Sequence, residues 1–477
     1  MKKPQERPMK KILIVGGFFI VAVATALPYY LGEQAQNRFA QGHEWLQQEM
    51  LYPQLSAQAG DFNKGWFTSE ASTKFTVASN KEGGKPLEFE LVHHITQVPS
   101  FGEGALMTID SELVLPTDAT EELGNYFEET PLLRAHTIIK FDGSEESTFT
   151  SPSYSGSLRG DKNVRLEWQG LEGSSRMDAE TDNISVSITA PLLRFEDNEG
   201  KLLIDNLHYD AQLRRGNHQL WFGSSDTSVD KFTLDLDSPK NGPTSVHLNN
   251  LTFTSEQREN SRQRVNMDGK LTFDSAEVNG FTVENGIYDA GYSNLDAASL
   301  GQINTGLKQI IRRQPQEPGV LITGMLPQLQ SLLSRQPELA IRQLKVDTPM
   351  GTIHSKMNMA LTEEPADQVM LNPAELMNMM KLDIEVSLPK PLLMGIFSTS
   401  ARNSIMRTAK AQNKTLSEEE LNRQVNVVVQ QQVQGLLAQK LMVDEGENYA
   451  TAIHYTPQKL VINEEDVTPI INGLIQQ

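Results

Sequence analysis

The sequence contains no cysteine. That absence removes disulfides, thiolate metal sites, iron–sulfur clusters and cysteine nucleophiles together. Aromatic residues are sparse at 7%, and 42 Lys and Arg against 61 Asp and Glu give a formal net charge of −19. A nucleic-acid binder needs a basic stripe that displaces counterions, so this balance argues against DNA or RNA as a partner. It argues equally against a surface that adheres to anionic headgroups. The short patterns of familiar chemistry are missing too. There is no Gly-x-Ser-x-Gly elbow, and Gly83-Gly84-Lys85 runs into Pro86 where a phosphate loop needs Ser or Thr. His43-Glu44 has no second histidine four residues on. Ser228 and Lys231 have the spacing of a serine acylase without its accompanying motifs.

Long apolar runs are absent with one exception. Ile12 to Leu31 carries no charge, and it follows Lys2, Lys3, Arg7, Lys10 and Lys11 with a single Glu6 among them. A helix of that length reaches about 30 Å, the thickness of a bilayer core. Tyr29 and Tyr30 stand at its far end, where amphipathic rings favour the membrane–water interface. The basic flank keeps the N-terminus cytoplasmic and sends the remainder across. The expectation is a single-pass bacterial inner-membrane protein with its bulk in the periplasm. Ala24-Thr25-Ala26 also has the small-x-small pattern of a cleavage site, so removal after Ala26 is the competing reading. Both readings export the bulk of the chain.

The fold class expected is α+β and β-rich. One N-terminal transmembrane helix precedes a large, mainly antiparallel curved sheet and a mixed helical and strand C-terminal region. Residues 1–11 form the basic cytoplasmic end, 12–31 the anchor and 32–60 a stalk helix and linker punctuated by Pro53 and Gly60. Residues 61–298 then alternate with period two, as in Ile184, Val186 and Ile188, or Leu207, Tyr209, Ala211 and Leu213. Such alternation makes strands with one apolar face. Turn chemistry breaks the run at Asp142-Gly143, Asn198-Glu199-Gly200, Asn241-Gly242-Pro243, Asp268-Gly269, Asn279-Gly280 and Asn285-Gly286. Only 118–127 reads as helix within it. Residues 299–477 predict helices over 300–313, 325–335, 372–380, 391–412 and 417–442, with strands at 344–346, 357–361, 382–388, 449–455 and 459–462. The last helix is the strongest. Ser417 and Glu420 form a capping box, and Leu421, Val425, Val428, Leu436, Leu437 and Leu441 form a stripe. A loose strand–turn–strand recurrence shows around 184–213 and 265–295.

Candidate ligands are few. His93 and His94 are adjacent, and on a strand neighbours point to opposite faces, so they do not chelate one ion. Met377, Met379 and Met380, with Met370 nearby, suit flexible core filling better than a soft metal. No catalytic, cofactor-binding or metal residue is assigned, and no cofactor is expected.

Gly65-Trp66-Phe67-Thr68-Ser69, placed after an apolar N-terminal run and ahead of alternating strands, resembles the YdgA/YihF family of bacterial envelope proteins. Phe62 stands where that family has a Tyr, and Thr68 replaces its first Ser. The family's compact histidine motif is broken up here into His93-His94-Ile95 and Pro99-Ser100-Phe101-Gly102. Tyr455 with Leu460-Val461-Ile462-Asn463 is similar to its closing strands. The resemblance implies an inner-membrane-anchored, periplasm-facing protein without assigned catalytic residues. In architecture the chain also resembles anchored β-rich lipid-transfer proteins of the AsmA type. Three roles follow as expectations. The first is a non-catalytic protein binding lipid or another apolar ligand on a sheet face. The second is an envelope assembly factor working through protein contacts, or as a homodimer, with helix 417–442 as its face. The third is a hydrolase whose site is assembled from distant loops.

Overall fold

The computed structural model describes residues 28, 30–44, 55–78, 86–114, 132–157, 164–179, 182–198, 200–238, 242–313, 324–333, 335–361, 379–412, 414–457 and 459–468. Most of the expected anchor, the expected helix 118–127 and nearly all of the expected helix 372–380 lie outside these residues. Among the described residues no helix is long and apolar enough to cross a membrane. The chain divides into two compact units. Unit 1 is Met1–Asn198 with Asp210–Arg214 and Leu307–Gln316; unit 2 is Glu199–Tyr209, Arg215–Gly306 and Glu317–Gln477.

Unit 1 is a helix laid on a meander of strands. Helix α1 covers residues 30–44. Strands β1 (Leu55–Lys64), β2 (Thr68–Val77), β3 (Leu87–Thr96), β4 (Ala105–Val114), β5 (Arg134–Lys140) and β6 (Glu145–Ser151) follow, each antiparallel to the next. Gly60 is therefore inside β1 and does not end a linker. Next come β7 (Tyr154–Ser157), β8 (Arg165–Trp168), β9 (Leu171–Met177) and β10 (Asn183–Glu196). β6 and β7 are one strand interrupted at Pro152, and β8 and β9 one strand bent at Gly170. Gly170 adopts φ +93°, and a Cβ there would stand 2.7 Å from the Ser151 carbonyl, so only glycine makes this corner. β10 then pairs with both β9 and β8.

The core of unit 1 is the contact between α1 and that sheet. Leu31 and Ala35 pack on Ala71, Ile95, Met107 and Ile139, flanked by Phe39, Phe62 and Ile109. Gly32 permits the closest approach, since a Cβ there would lie 2.5 Å from Oε1 of the fully buried Gln97. Leu31, the last residue of the expected membrane span, is 3% exposed and belongs to this core. Its neighbour Tyr30 is exposed. Pro28, also within the expected span, is buried as well.

Unit 2 is a longer meander. β11 (Gly200–Arg215) has residues in both units. β12 (Trp221–Ser238), β13 (Gly242–Glu259), β14 (Arg264–Val278) and β15 (Phe281–Asp296) pair in order. Helices α2 (Ala297–Arg313) and α3 (Leu326–Leu333) precede β16 (Glu338–Thr348), β17 (Gly351–Leu361) and β18 (Met380–Pro389). Helices α4 (Lys390–Ala411) and α5 (Glu418–Ala438) separate β18 from its partner β20 (Asn448–Thr456). The short strands β19 (Val443–Glu445), β21 (Lys459–Ile462) and β22 (Glu465–Asp466) finish the edge.

Two expected turns prove to be strand interiors. Asp268-Gly269 lies within β14, and Asn285-Gly286 within β15. Asn285 is at φ +51°, as it would be in a hairpin, but here it makes a bulge. The ring of Phe273 lies over Gly286, where a Cβ would meet it at 2.1 Å. The same device recurs. Asn206, Asn250 and Asn285 all take positive φ, and each Nδ2 donates to an aspartate on the next strand: Asp230, Asp274 and Asp347 at 2.9, 2.6 and 2.8 Å. Asn206 and Asn285 fall within the 184–213 and 265–295 segments where the sequence shows its loose recurrence. The pairing register shifts at Asn285, whereas at Asn250 it continues unchanged, so the Asn–Asp bond accompanies a local turn of the backbone within long strands.

The capping box forms: Ser417 Oγ accepts from Glu420 N–H at 3.2 Å, with Glu418, Glu419 and Glu420 in the first turn. The buried stripe of α5 is Leu421, Val425, Val429 and Val433, packed with Ala401 and Met442. Val429 and Val433 join the expected stripe, whose Val428, Leu436 and Leu437 pack partly buried at its edge, and Leu441 falls beyond the helix end at Ala438. Lys440 then turns to φ +56°, and Leu441 N–H bonds Leu436 O, closing a Schellman-type end. Leu421→Ala should therefore cost unit 2 about 2–5 kcal/mol in urea unfolding. Val427→Ala, at an exposed position of the same helix, should change stability by less than about 1 kcal/mol.

Candidate functional site

The histidines are the first candidates, and the strands disperse them. His94 is exposed and lies 3.5 Å from Glu70, whereas His93 points inward. His136 pairs with Asp110 at 2.7 Å, His247 with Asp235 at 2.8 Å, and His454 with Asp383. These are cross-strand neighbours, which is the ordinary way opposite charges meet on a sheet. Among the described residues no three His, Asp or Glu side chains converge as a metal site would require. Of the methionines considered, Met380 belongs to β18 opposite Leu361. Ser228 and Lys231 sit in mid-strand on β12, opposite Thr252 and Asn249.

His93 makes a polar seam under α1. Its Nδ1 is 2.7 Å from Ser111 Oγ and its Nε2 is 3.0 Å from Thr73 Oγ1. Phe39 meets its ring edge-on at 5.7 Å, and Phe39 also contacts His43. A serine beside a histidine invites a nucleophilic reading. Here Ser111 and Thr73 are both buried, and both ring nitrogens are committed to hydroxyls, so the group joins helix to sheet. Burial, with His43 and His94 nearby, lowers the His93 pKa to about 4.

Two cavities of about 650 and 600 Å³ lie over the polar face of β13 to β21. Arg342 is the dominant cation of the larger. Its Nε and Nη1 donate to Asp289 and Asp268 at 2.7 Å each, and Nη2 to Ala290 O at 3.2 Å. Arg258 adds a second bond to Asp268 at 2.8 Å. The fork that would recognise an anion is already filled by the chain's own carboxylates.

The opposite face is different. Registered strand pairing lines up Ile341, Met357, Ile384, Ile453 and Ile462 in one row. Leu339, Met359, Leu382, Tyr455 and Leu460 make the next. Yet no residue of β16, β17, β20 or β21 is buried, and Pro389 alone is buried in β18. Leu220, Phe222, Val265 and Ala297 form a closed cluster at the β14–β15 end with Leu300 of α2. The pair α4–α5 spends its apolar surface on itself and takes only Tyr449 from the strands. The apolar rows are thus half-covered by the described residues, and no motif could mark them, because their signal is what fails to pack on them.

The His93 seam has a measurable consequence. Folded His93 takes its proton near pH 4 and unfolded histidine near 6.5, so between them the unfolded chain binds the extra proton. Stability from this group is complete above about pH 6.5 and lost as pH falls to about 4, on the order of 3 kcal/mol in total. Urea midpoints of wild type and His93→Gln, taken between about pH 7.5 and about pH 4.5, should diverge in slope, with the variant flatter.

No curated protein and no solved structure matches the chain. A family of bacterial proteins of unknown function, DUF945, matches residues 9–469. With nearly its whole length matched, the chain belongs to that family.

Proposed function

We propose that this protein is a non-catalytic binder of the bacterial envelope, tethered to the inner membrane by the uncharged N-terminal run that begins at Ile12, with its bulk in the periplasm. It takes a lipid acyl chain on the half-covered apolar face of unit 2. The observation that carries this reading is the pair of registered apolar rows across β16, β17, β18, β20 and β21, without a buried side chain among them apart from Pro389. An acyl chain suits these rows because they are aliphatic, uncharged and contain two flexible methionines, Met357 and Met359. The N-terminal run places such chains within reach of the tethered protein. The polar face favours no anionic ligand, since Arg342 is saturated. The protein-contact reading loses its best surface, because the stripe of α5 is consumed against α4.

Wild-type protein purified without detergent should carry phospholipid or fatty acid in native mass spectrometry. Ile384→Glu, which sets a charge in the middle of the row, should weaken binding of a fluorescent fatty acid about tenfold or more. Lys356→Ser, on the opposite face, should leave it unchanged. Equal affinity in the two variants, each with a wild-type circular dichroism spectrum, would sink the reading.

A further inference from the structure

Unit 1 has an end that the fold itself marks out. In its meander, alternate strands reverse, so the β1–β2, β3–β4 and β5–β6 connections fall at the same end. Those three connections carry Trp66 and Phe67, then Val98 and Phe101, then Phe141. All five are exposed, from 45% at Val98 to 86% at Phe101. Phe101 and Phe141 stack on each other at 5.6 Å across neighbouring connections. Single exposed apolar residues are ordinary, but a contiguous set on three adjacent tips is not.

The tips are built firmly. Gln97 N–H bonds Phe67 O at 2.8 Å, and the Gln97 side chain donates to Ser69 Oγ, tying the first connection to the second. In the third, the Asp142 carboxylate accepts from Ser144 N–H at 2.9 Å and Ser144 Oγ at 2.7 Å. The aromatic rings are presented by closed turns.

Helix α1 begins at this end. Gly32 lies against Gln97, Leu31 against Ile95 and Met107, and further along Phe39 reaches Phe62 and His93. Phe62 is two residues from this end of β1, and Arg38 lies against Gly143 and pairs with Glu145 at the β5–β6 connection, so α1 stays close to this end of the sheet, and Tyr30, 56% exposed, stands beside the tips. Immediately before it in sequence are the uncharged residues from Ile12. The connections hold acids, Glu103 and Asp142, and no basic cluster.

We propose that this end of unit 1 seats in the interface of the bilayer entered by the uncharged run that begins at Ile12. Trp66, Phe67, Phe101 and Phe141 enter the headgroup region of zwitterionic phospholipid, beside Tyr30. Aromatic rings favour that region, and the basic groups bordering the third connection, Arg38 and Lys140, are paired with Glu145 and Glu146, which argues against attraction to anionic lipid as the cause. Because α1 is packed into the core, the seat fixes the orientation of unit 1 on the membrane. The proposal rests on the tether reading above and is independent of lipid binding by unit 2.

The absence of cysteine makes the test direct. The single-cysteine variants Val23→Cys, Phe101→Cys, Phe141→Cys and Val114→Cys of the full chain are labelled with an environment-sensitive fluorophore and reconstituted in phosphatidylcholine vesicles. Val114 is equally apolar and exposed at 45%, but it lies at the other end of β4, about 30 Å from the tips at roughly 3.3 Å per residue. Labels at 101 and 141 should shift to the blue and be quenched by nitroxide lipid, while the label at 114 stays in water. Quenching at 23 with labels at 101 and 141 in water overturns the seat and leaves the tether. No quenching at any position overturns both. Labels at 101 and 141 shielded from lipid and aqueous quenchers alike, with a cross-linked dimer, would assign the tips to a second copy and overturn the seat.

Discussion

A strand with period-two alternation has one apolar face, and a meander of such strands forms a layer that cannot bury that face within itself. Every other feature of this chain answers that constraint locally. In unit 1 the cover is α1, and the result is a dry core of Leu31, Ala35, Ile95, Met107 and Ile139. In unit 2 the cover supplied by the described residues is partial. Residues of α2 seal one end, and α4 with α5 form a core of their own. The rows from Leu339 and Ile341 to Leu460 and Ile462 are what remains. Burying them is worth roughly 25 cal/mol per Å² of apolar surface to whatever covers them.

Polar side chains set the geometry that apolar packing leaves loose. Gln97 and His93 are both satisfied by hydroxyls under α1, and an unpaired polar group there would cost about 1–3 kcal/mol, so helix and sheet meet in one register. The Asn–Asp pairs do the same for long strands. Asn206, Asn250 and Asn285 each leave the extended conformation in mid-strand, and each is held by a hydrogen bond to an aspartate of the next strand, at Asn285 beside a shift of register.

Strand alternation, the hairpin at Asn279-Gly280 and the capped helix at Ser417 were legible in the sequence, because each rests on interactions within a few residues. Asp268-Gly269 and Asn285-Gly286 misled because the same dipeptides make hairpin turns; the strand opposite decides, and it keeps Asp268 and Gly269 in regular pairing while Asn285 takes positive φ at a shift of register. The face of α5 was legible in outline, since Leu421, Val425, Val428, Leu436 and Leu437 all pack in or on the cluster, but the pattern did not show that Val429 and Val433 are its buried centre, which contact with α4 decides. The opposite pointing of His93 and His94 was legible from strand geometry, but the seam at His93 was not, since Thr73 and Ser111 are distant in sequence. Neither surface proposed for function has a sequence signature, as both depend on which residues stay uncovered.

Leu31 shows how the two ends of the argument meet. Hydropathy assigns it to lipid with the residues before it, and packing assigns it to protein. Leu31 is buried, and so is Pro28, two residues before the exposed Tyr30, so the protein's own packing reaches back into the run that hydropathy assigns to lipid. Gly32 does not loosen that packing, because Gln97 occupies the space a side chain would take. If the run before Pro28 is the tether proposed above, a helix packed in this way would carry the orientation of unit 1 to the membrane, where a polypeptide leash would leave it free.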